Sequence, residues 1–134
     1  MPSIVHISGK RKRSIARATI REGKGQVRIN SKLVSNYRPE LAMERIMEPL
    51  QIAGDEITKK VKIDVRVKGG GIMSQAEASR LAIARALVAY TKNKELEKEF
   101  MSYDRHLIVA DTRHKEACKP NDSKARKKRQ KSYR

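Results

Sequence analysis

The sequence predicts an α/β domain of the α+β kind: two layers, with helices covering one face of a mixed sheet. Three observations lead there. Residues 60–68 alternate, with Val61, Ile63, Val65 and Val67 on one side and Lys60, Lys62, Asp64, Arg66 and Lys68 on the other. That is the period of a half-buried strand. Residues 74–90 place Ala76, Ala78, Ala82, Ala84 and Ala86 among Leu81, Ile83, Leu87, Val88 and Tyr90, a strong helix with an apolar face. Short β-prone runs lie ahead of both, so strands and helices interleave along one chain. With 134 residues, the chain is sized for one domain.

The elements follow in order. Ile4, Val5 and Ile7 are β-branched and open a basic N-terminal strand. Residues 14–21 carry Ile15, Thr19 and Ile20, and residues 26–30 alternate Val27 and Ile29 with Gln26, Arg28 and Asn30. Glu22-Gly23-Lys24-Gly25 separates the two runs, which predicts a hairpin between them. Its polar face would carry Arg17, Arg21 and Arg28.

Residues 39–47 are expected to be helical, with Pro39 at the first helical position and Pro49 limiting or kinking the helix. The strand at 60–68 leads through Gly69-Gly70-Gly71 into the 74–90 helix, where Ser74 and Glu77 fit a capping box. A third helix is expected over 94–101. Leu107-Ile108-Val109-Ala110 is short, apolar and β-prone, and reads as a last strand.

Charge divides the chain more sharply than hydropathy does. The formal net charge is +17, from 32 Lys+Arg against 15 Asp+Glu. Residues 1–21 hold six basic groups and no acid, and residues 113–134 hold ten against Glu116 and Asp122. The middle of the chain is nearly balanced. A pI near 10.4 implies a polyanionic partner, nucleic acid ahead of an anionic membrane.

From Lys119 onward there is no Leu, Ile, Val, Met or Phe, so the segment lacks the apolar surface that offsets ordering entropy. It reads as an arm that orders against phosphates. A solvated tail or a nuclear-localisation patch is the plainer alternative. The basic N-terminal run also admits a transit peptide, which its β-branched residues and the lack of an amphipathic helix disfavour.

Several classes fall away. No run approaches the ~18 apolar residues of a transmembrane helix, and no apolar stretch resembles a secretory signal. A single cysteine, Cys118, gives no disulfide framework and no Cys-rich zinc site, and it reads as an incidental thiol. His6, His106 and His114 lack ligand spacing, so no metal and no cofactor are expected. No Trp and one Phe argue against base stacking on aromatics.

Gly69-Gly70-Gly71 admits a plain tight turn, a contact to an RNA phosphate, or a soluble-nucleotide site. The last lacks both GxxxxGK[ST] and GxGxxG. Arg80 and Arg85 in the Ala-rich helix read as an exposed face or as phosphate contacts.

These motifs together resemble the small-subunit ribosomal protein S nine family. Gly9-Lys10-Arg11-Lys12-Arg13-Ser14-Ile15-Ala16-Arg17 is similar to its basic opening, G-x-R-K-x-x-x-A-R. Residues 69–87 are similar to its G-G-G-x-x-G-Q-A-x-A-x-R-x-A-I-A-R-A-L block, with Ser74 in place of a glycine. Asp104-Arg105 and Asp111-Thr112-Arg113 resemble its segment before the tail. The ending Gln130-Lys131-Ser132-Tyr133-Arg134 is similar to the archaeal and eukaryotic branch. The linker Lys119-Pro120-Asn121-Asp122 departs from the family's glycine-containing hinge.

The resemblance implies a fold like the second domain of ribosomal protein S five, with a globular part over 1–112 and a basic extended tail over 113–134. It implies a non-enzymatic constituent of the small subunit, in the cytoplasm. Its partners would be small-subunit rRNA in the head, peptidyl-site tRNA and neighbouring head proteins, with no membrane and no stable homo-oligomer. Carried onto this chain, RNA phosphates fall to Lys10, Arg11, Lys12, Arg13 and Arg17, to Gly69, Gly70 and Gly71, and to Arg80, Arg85, Arg105 and Arg113. In the tail they fall to Lys124, Arg126, Lys127 and Lys128, while Arg129, Lys131, Ser132, Tyr133 and Arg134 would meet the tRNA anticodon stem-loop.

Two other classes compete. A small phosphotransferase using the triple-glycine loop would lack a recognisable metal-binding carboxylate motif. A free DNA-binding protein would lack a helix basic enough to read a major groove.

Overall fold

The computed structural model describes residues 4–128 and 130–133. Five strands form one mixed sheet: β1 (Val5–Arg11), β2 (Ser14–Glu22), β3 (Val27–Ile29), β4 (Lys32–Leu33) and β5 (Val61–Lys68), in the order β1-β2-β5-β3-β4. The expected α+β class and single helical layer are what the molecule adopts. The basic N-terminal run is not a free arm. Val5 to Arg11 pairs antiparallel with β2 along its full length, and Lys12-Arg13 make the turn between them.

The pairing of the next strands differs from the expected hairpin. β5 lies between β2 and β3, antiparallel to the first and parallel to the second. The Glu22–Gly25 turn closes over the start of β5: Gly23 N donates to Lys60 O and Gly25 N to Val61 O, both at 2.9 Å. The reason is burial. β5 has an unbroken inner face of Val61, Ile63, Val65 and Val67, each at most 3% exposed, and that face belongs at the sheet centre. Asn30 then clasps β5, its Nδ2 donating to Val67 O (3.2 Å) and its Oδ1 accepting from Val67 N (2.9 Å).

Four helices follow: α1 (Glu40–Ala53), α2 (Asp55–Thr58), α3 (Ile72–Thr91) and α4 (Lys94–Tyr103). Pro39 sits one residue earlier than expected, at the N-cap, and α1 continues through a buried Pro49 to Ala53. α3 begins two residues before the expected start. Gly71 is its N-cap and Ser74 caps nothing, because Ser74 already lies inside the first turn. Gly is an acceptable N-cap, and the preceding glycine turn sets the start. Gln75 ties that turn down, its Nε2 donating to Gly69 O at 3.0 Å. α4 is capped by Asn93, whose side chain accepts from Glu95 N at 2.9 Å.

The core lies between the sheet and α1, α3 and α4, with Ile20, Ile46, Ile63, Ile83, Leu87 and Phe100 fully buried. The alanines of α3 allow a close approach to β1. A Cβ on Gly9 would stand 2.6 Å from Ala78 O and 2.8 Å from Ala82 N, both helix backbone. Gly9→Ala is therefore expected to destabilise the domain by about 1–3 kcal/mol, because neither backbone can yield locally. Urea unfolding would measure it, and an unchanged midpoint would show that β1 can slide.

No last strand forms at 107–110. Leu107 is fully buried in a 3₁₀ turn, Arg105–Leu107, seated against α3 and α4. Asp104 caps that turn, its Oδ1 accepting from His106 N at 2.9 Å. Ile108 O is taken by Arg85 Nε at 2.7 Å, which removes it from any ladder. Leu107 is the last buried residue among those described.

Candidate nucleic-acid interface

One end of the sheet gathers most of the basic motifs. The β1–β2 turn presents Arg11, Lys12 and Arg13. The other side of that end is the turn from β5 into α3. Gly69 (φ +80°) and Gly70 (φ +66°) occupy the left-handed region there. A Cβ on Gly69 would lie 2.5 Å from Arg13 O, and one on Gly70 would collide with Ser14 Oγ. Ser14 Oγ donates to Gly69 O at 2.9 Å. Gly69 and Gly70 thus pack against the β1–β2 turn rather than forming an open phosphate cradle. Gly71 has open space around it.

The chain returns to the same place after α4. Arg113, His114 and Lys115 join Arg11, Lys12, Arg13, Gly70, Gly71 and Ser74 in lining a cavity of about 750 Å³. Among the described residues, five permanent cations and no carboxylate face it. The first turn of α3, which carries no acidic residue, adds backbone N–H groups and the positive end of the helix dipole.

Asp111 fixes how the C-terminal segment enters the cleft. Its carboxylate meets Arg11 Nη1 at 3.1 Å and Arg113 Nη2 at 2.7 Å. Hydrogen bonds from the Arg113 side chain and backbone, with the charge of Arg11, hold its carboxyl well below the usual carboxylate range. It joins the β1–β2 turn to the start of the tail.

Two of the arginines expected to contact RNA are engaged by protein groups. Arg80 is only 2% exposed. Its guanidinium meets Glu48 Oε2 at 2.5 Å, Asp104 Oδ2 at 2.8 Å and Glu77 Oε2 at 3.8 Å. Burial desolvates that guanidinium, but the Asp104 hydrogen bond and the three carboxylates more than offset this and raise its pKa. Three acids already satisfy the charge that a phosphate would need. Arg85 is committed to backbone, its Nε donating to Ile108 O (2.7 Å) and its Nη1 to Ser8 O (3.3 Å). It pins the chain after α4 to α3 and β1.

The remaining residues lie on the surface. Lys10 and Arg17 are exposed on the sheet face that no helix covers, and Arg105 is exposed in the 3₁₀ turn. Lys124, Lys127, Lys128, Lys131, Ser132 and Tyr133 are exposed along the tail. Arg126 is also exposed and donates from Nε to Glu116 Oε2 at 3.0 Å. Arg129 and Arg134 lie outside the described residues.

Sequence reasoning missed His114 and Lys115, whose only signal was their place beside Arg113. It also missed Glu48, Glu77 and Asp104 as partners of Arg80. Glu77 was readable from its i,i+3 spacing to Arg80.

Comparison with known proteins places the molecule. The family model for ribosomal protein S9/S16 matches residues 9–134. The small ribosomal subunit protein uS9 of Methanococcus maripaludis strain C7 is 46% identical over 133 residues, covering 98% of each chain. The opening, the glycine turn, α3 and the basic ending all fall inside that match, and the chain belongs to the ribosomal protein S9/S16 family, as a structural ribosomal component and not an enzyme.

Proposed function

We propose that this protein binds small-subunit rRNA in the head of the small ribosomal subunit, and that its C-terminal tail reaches the anticodon stem-loop of the peptidyl-site tRNA. The observation that carries the first part is the carboxylate-free cleft, in which Arg11, Lys12, Arg13, Arg113 and Lys115 converge from two ends of the chain. A cluster of fixed cations held by a rigid turn neutralises phosphates and reads backbone shape rather than base edges. The tail supports the second part: none of its described residues from Arg113 onward is buried, and its Lys and Arg project from a chain that buries no core.

The glycine turn gives no support to a phosphotransferase. Gly69 and Gly70 are packed on Arg13 and Ser14, and among the described residues no carboxylate lines the cleft to hold a metal.

Salt dependence tests the reading. Roughly 8–10 phosphate contacts predict that log K for a transcript of the small-subunit head rRNA falls with log salt at a slope of about −7 to −9. The protein is also expected to sediment with small subunits through a high-salt wash. A nearly flat salt dependence overturns it.

A further inference from the structure

The sheet has one face without helices, and that face breaks a rule of strand pairing. Side chains there come from alternate positions of β1, β2, β5 and β3. Arg17 of β2 lies directly opposite Arg66 of β5, and Arg21 lies directly opposite Lys62. Like charges placed opposite one another across a strand pair destabilise a sheet. Two such pairs flank the Thr19–Asp64 pair on this face, with Lys68 beyond Arg66 and Arg28 opposite Asp64 on the other side.

The single acid on this face among the described residues is Asp64. It takes Arg21, with Nη2 donating to Oδ2 at 3.2 Å. Among the described residues, Arg17, Lys62 and Arg66 have no carboxylate partner. Arg28 donates from Nη2 to Gln26 Oε1 at 3.3 Å, and its Nε is buried with no hydrogen-bond partner. A groove of about 640 Å³ runs over Arg17, Arg21, Asp64 and Arg66, and only strand residues line it, so among the described residues neither helix nor tail covers it.

We infer that this helix-free face is a second docking surface for the phosphate backbone of folded rRNA, separate from the cleft. The inference rests on the rRNA reading above. The charge pattern chooses the occupant. Arg17, Arg21, Lys62 and Arg66 mark the corners of a patch about 13 Å along the strands and 5 Å across them. A rigid sheet presents them at fixed spacing, and guanidinium groups suit phosphate oxygens better than a general anionic field does. Repulsion within the free protein is relieved when phosphates enter between the pairs. Local pairing rules are broken in this way mainly where function needs it.

The test uses that repulsion. The double variant Arg17→Thr/Arg66→Thr replaces a like-charge pair by a favourable cross-strand pair. Its thermal midpoint as free protein is expected to equal or exceed that of the parent. Its affinity for the head rRNA transcript is expected to fall on the order of tenfold to a hundredfold, with the salt slope shallower by about two. The comparison variant Arg13→Gln/Lys115→Gln addresses the cleft alone. Parental affinity and slope in the Arg17/Arg66 variant, with binding still weakened in the cleft variant, overturn the sheet-face proposal and leave that face to a carboxylate-rich protein neighbour. A flat salt dependence in the parent protein overturns the rRNA reading itself.

Discussion

Replacing Arg80 by methionine is expected to cost about 3 kcal/mol of stability and about 10 °C in thermal midpoint. The buried guanidinium is shared by Glu48, Glu77 and Asp104, which come from α1, α3 and the end of α4, and of these three Glu48 also pairs with the more exposed Arg45 at 3.3 Å. Removing the buried member of an ionic cluster typically costs about 3–5 kcal/mol, and here it leaves Glu77 and Asp104 uncompensated while Glu48 keeps Arg45. These carboxylates keep 18–32% of their side-chain surface exposed, so water recovers part of the loss and the lower figure applies.

The variant should also behave differently in acid. Burial works against the charged form of Asp104, but the His106 backbone N–H and Arg80 outweigh it and hold the carboxyl below its ordinary value. A depressed carboxylate stabilises the fold above its unfolded pKa, near 3.9, and that contribution is lost as pH falls through the lower folded value. The gap between parent and variant should therefore be full at neutral pH. It should narrow below about pH 4, as protonation relieves the repulsion that Arg80 had countered. Urea titrations at several pH values would follow it. A variant with an unchanged midpoint and weakened rRNA binding would return Arg80 to the role of a phosphate contact.

Ending the chain after Cys118 should have the opposite profile. This removes eight Lys and Arg side chains and one acid, Asp122. None of the described residues beyond Cys118 is buried, so stability is expected to change by less than about 0.5 kcal/mol. With roughly half of the eight cations on phosphates, the salt slope for the head transcript becomes shallower by about three to four. Subunits reconstituted with the shortened chain should hold peptidyl-site tRNA more weakly. Parental salt slope and tRNA retention would remove the tail from the binding mechanism.

The features legible in the sequence are those set by neighbours along the chain. β5 and the body of α3 follow from periods of 2 and 3.6. The basic tail is visible because a segment with almost no apolar side chain contributes no core. The helix expected over 94–101 is local as well, and it forms as α4. Three local patterns mislead: the turn at Glu22–Gly25 suggests a hairpin, yet β5 inserts between β2 and β3. Ser74 and Glu77 satisfy a capping pattern, yet the helix starts at Ile72, because the glycine turn positions Gly71 as the cap. Residues 107–110 have strand composition, yet Leu107 is drawn under α3 and α4 while Arg85 occupies the Ile108 carbonyl.

The arginines show the same division at the site. Arg11, Arg13, Arg80 and Arg85 look alike as letters in basic or helical motifs. Arg11 and Arg13 line the cleft, whereas Arg80 is enclosed by acids and Arg85 is tied to backbone carbonyls. Residue chemistry and short-range order were enough to establish an α+β domain with charged ends, and the motif order was enough to point to the family. Strand order, the burial of Arg80, the convergence of residues 11–13 with 113–115, and the pairing of Arg17 with Arg66 depended on the tertiary structure. Each arises from contacts between distant parts of the chain, and the energy of such contacts is set by which surfaces are buried together, a quantity no local window contains.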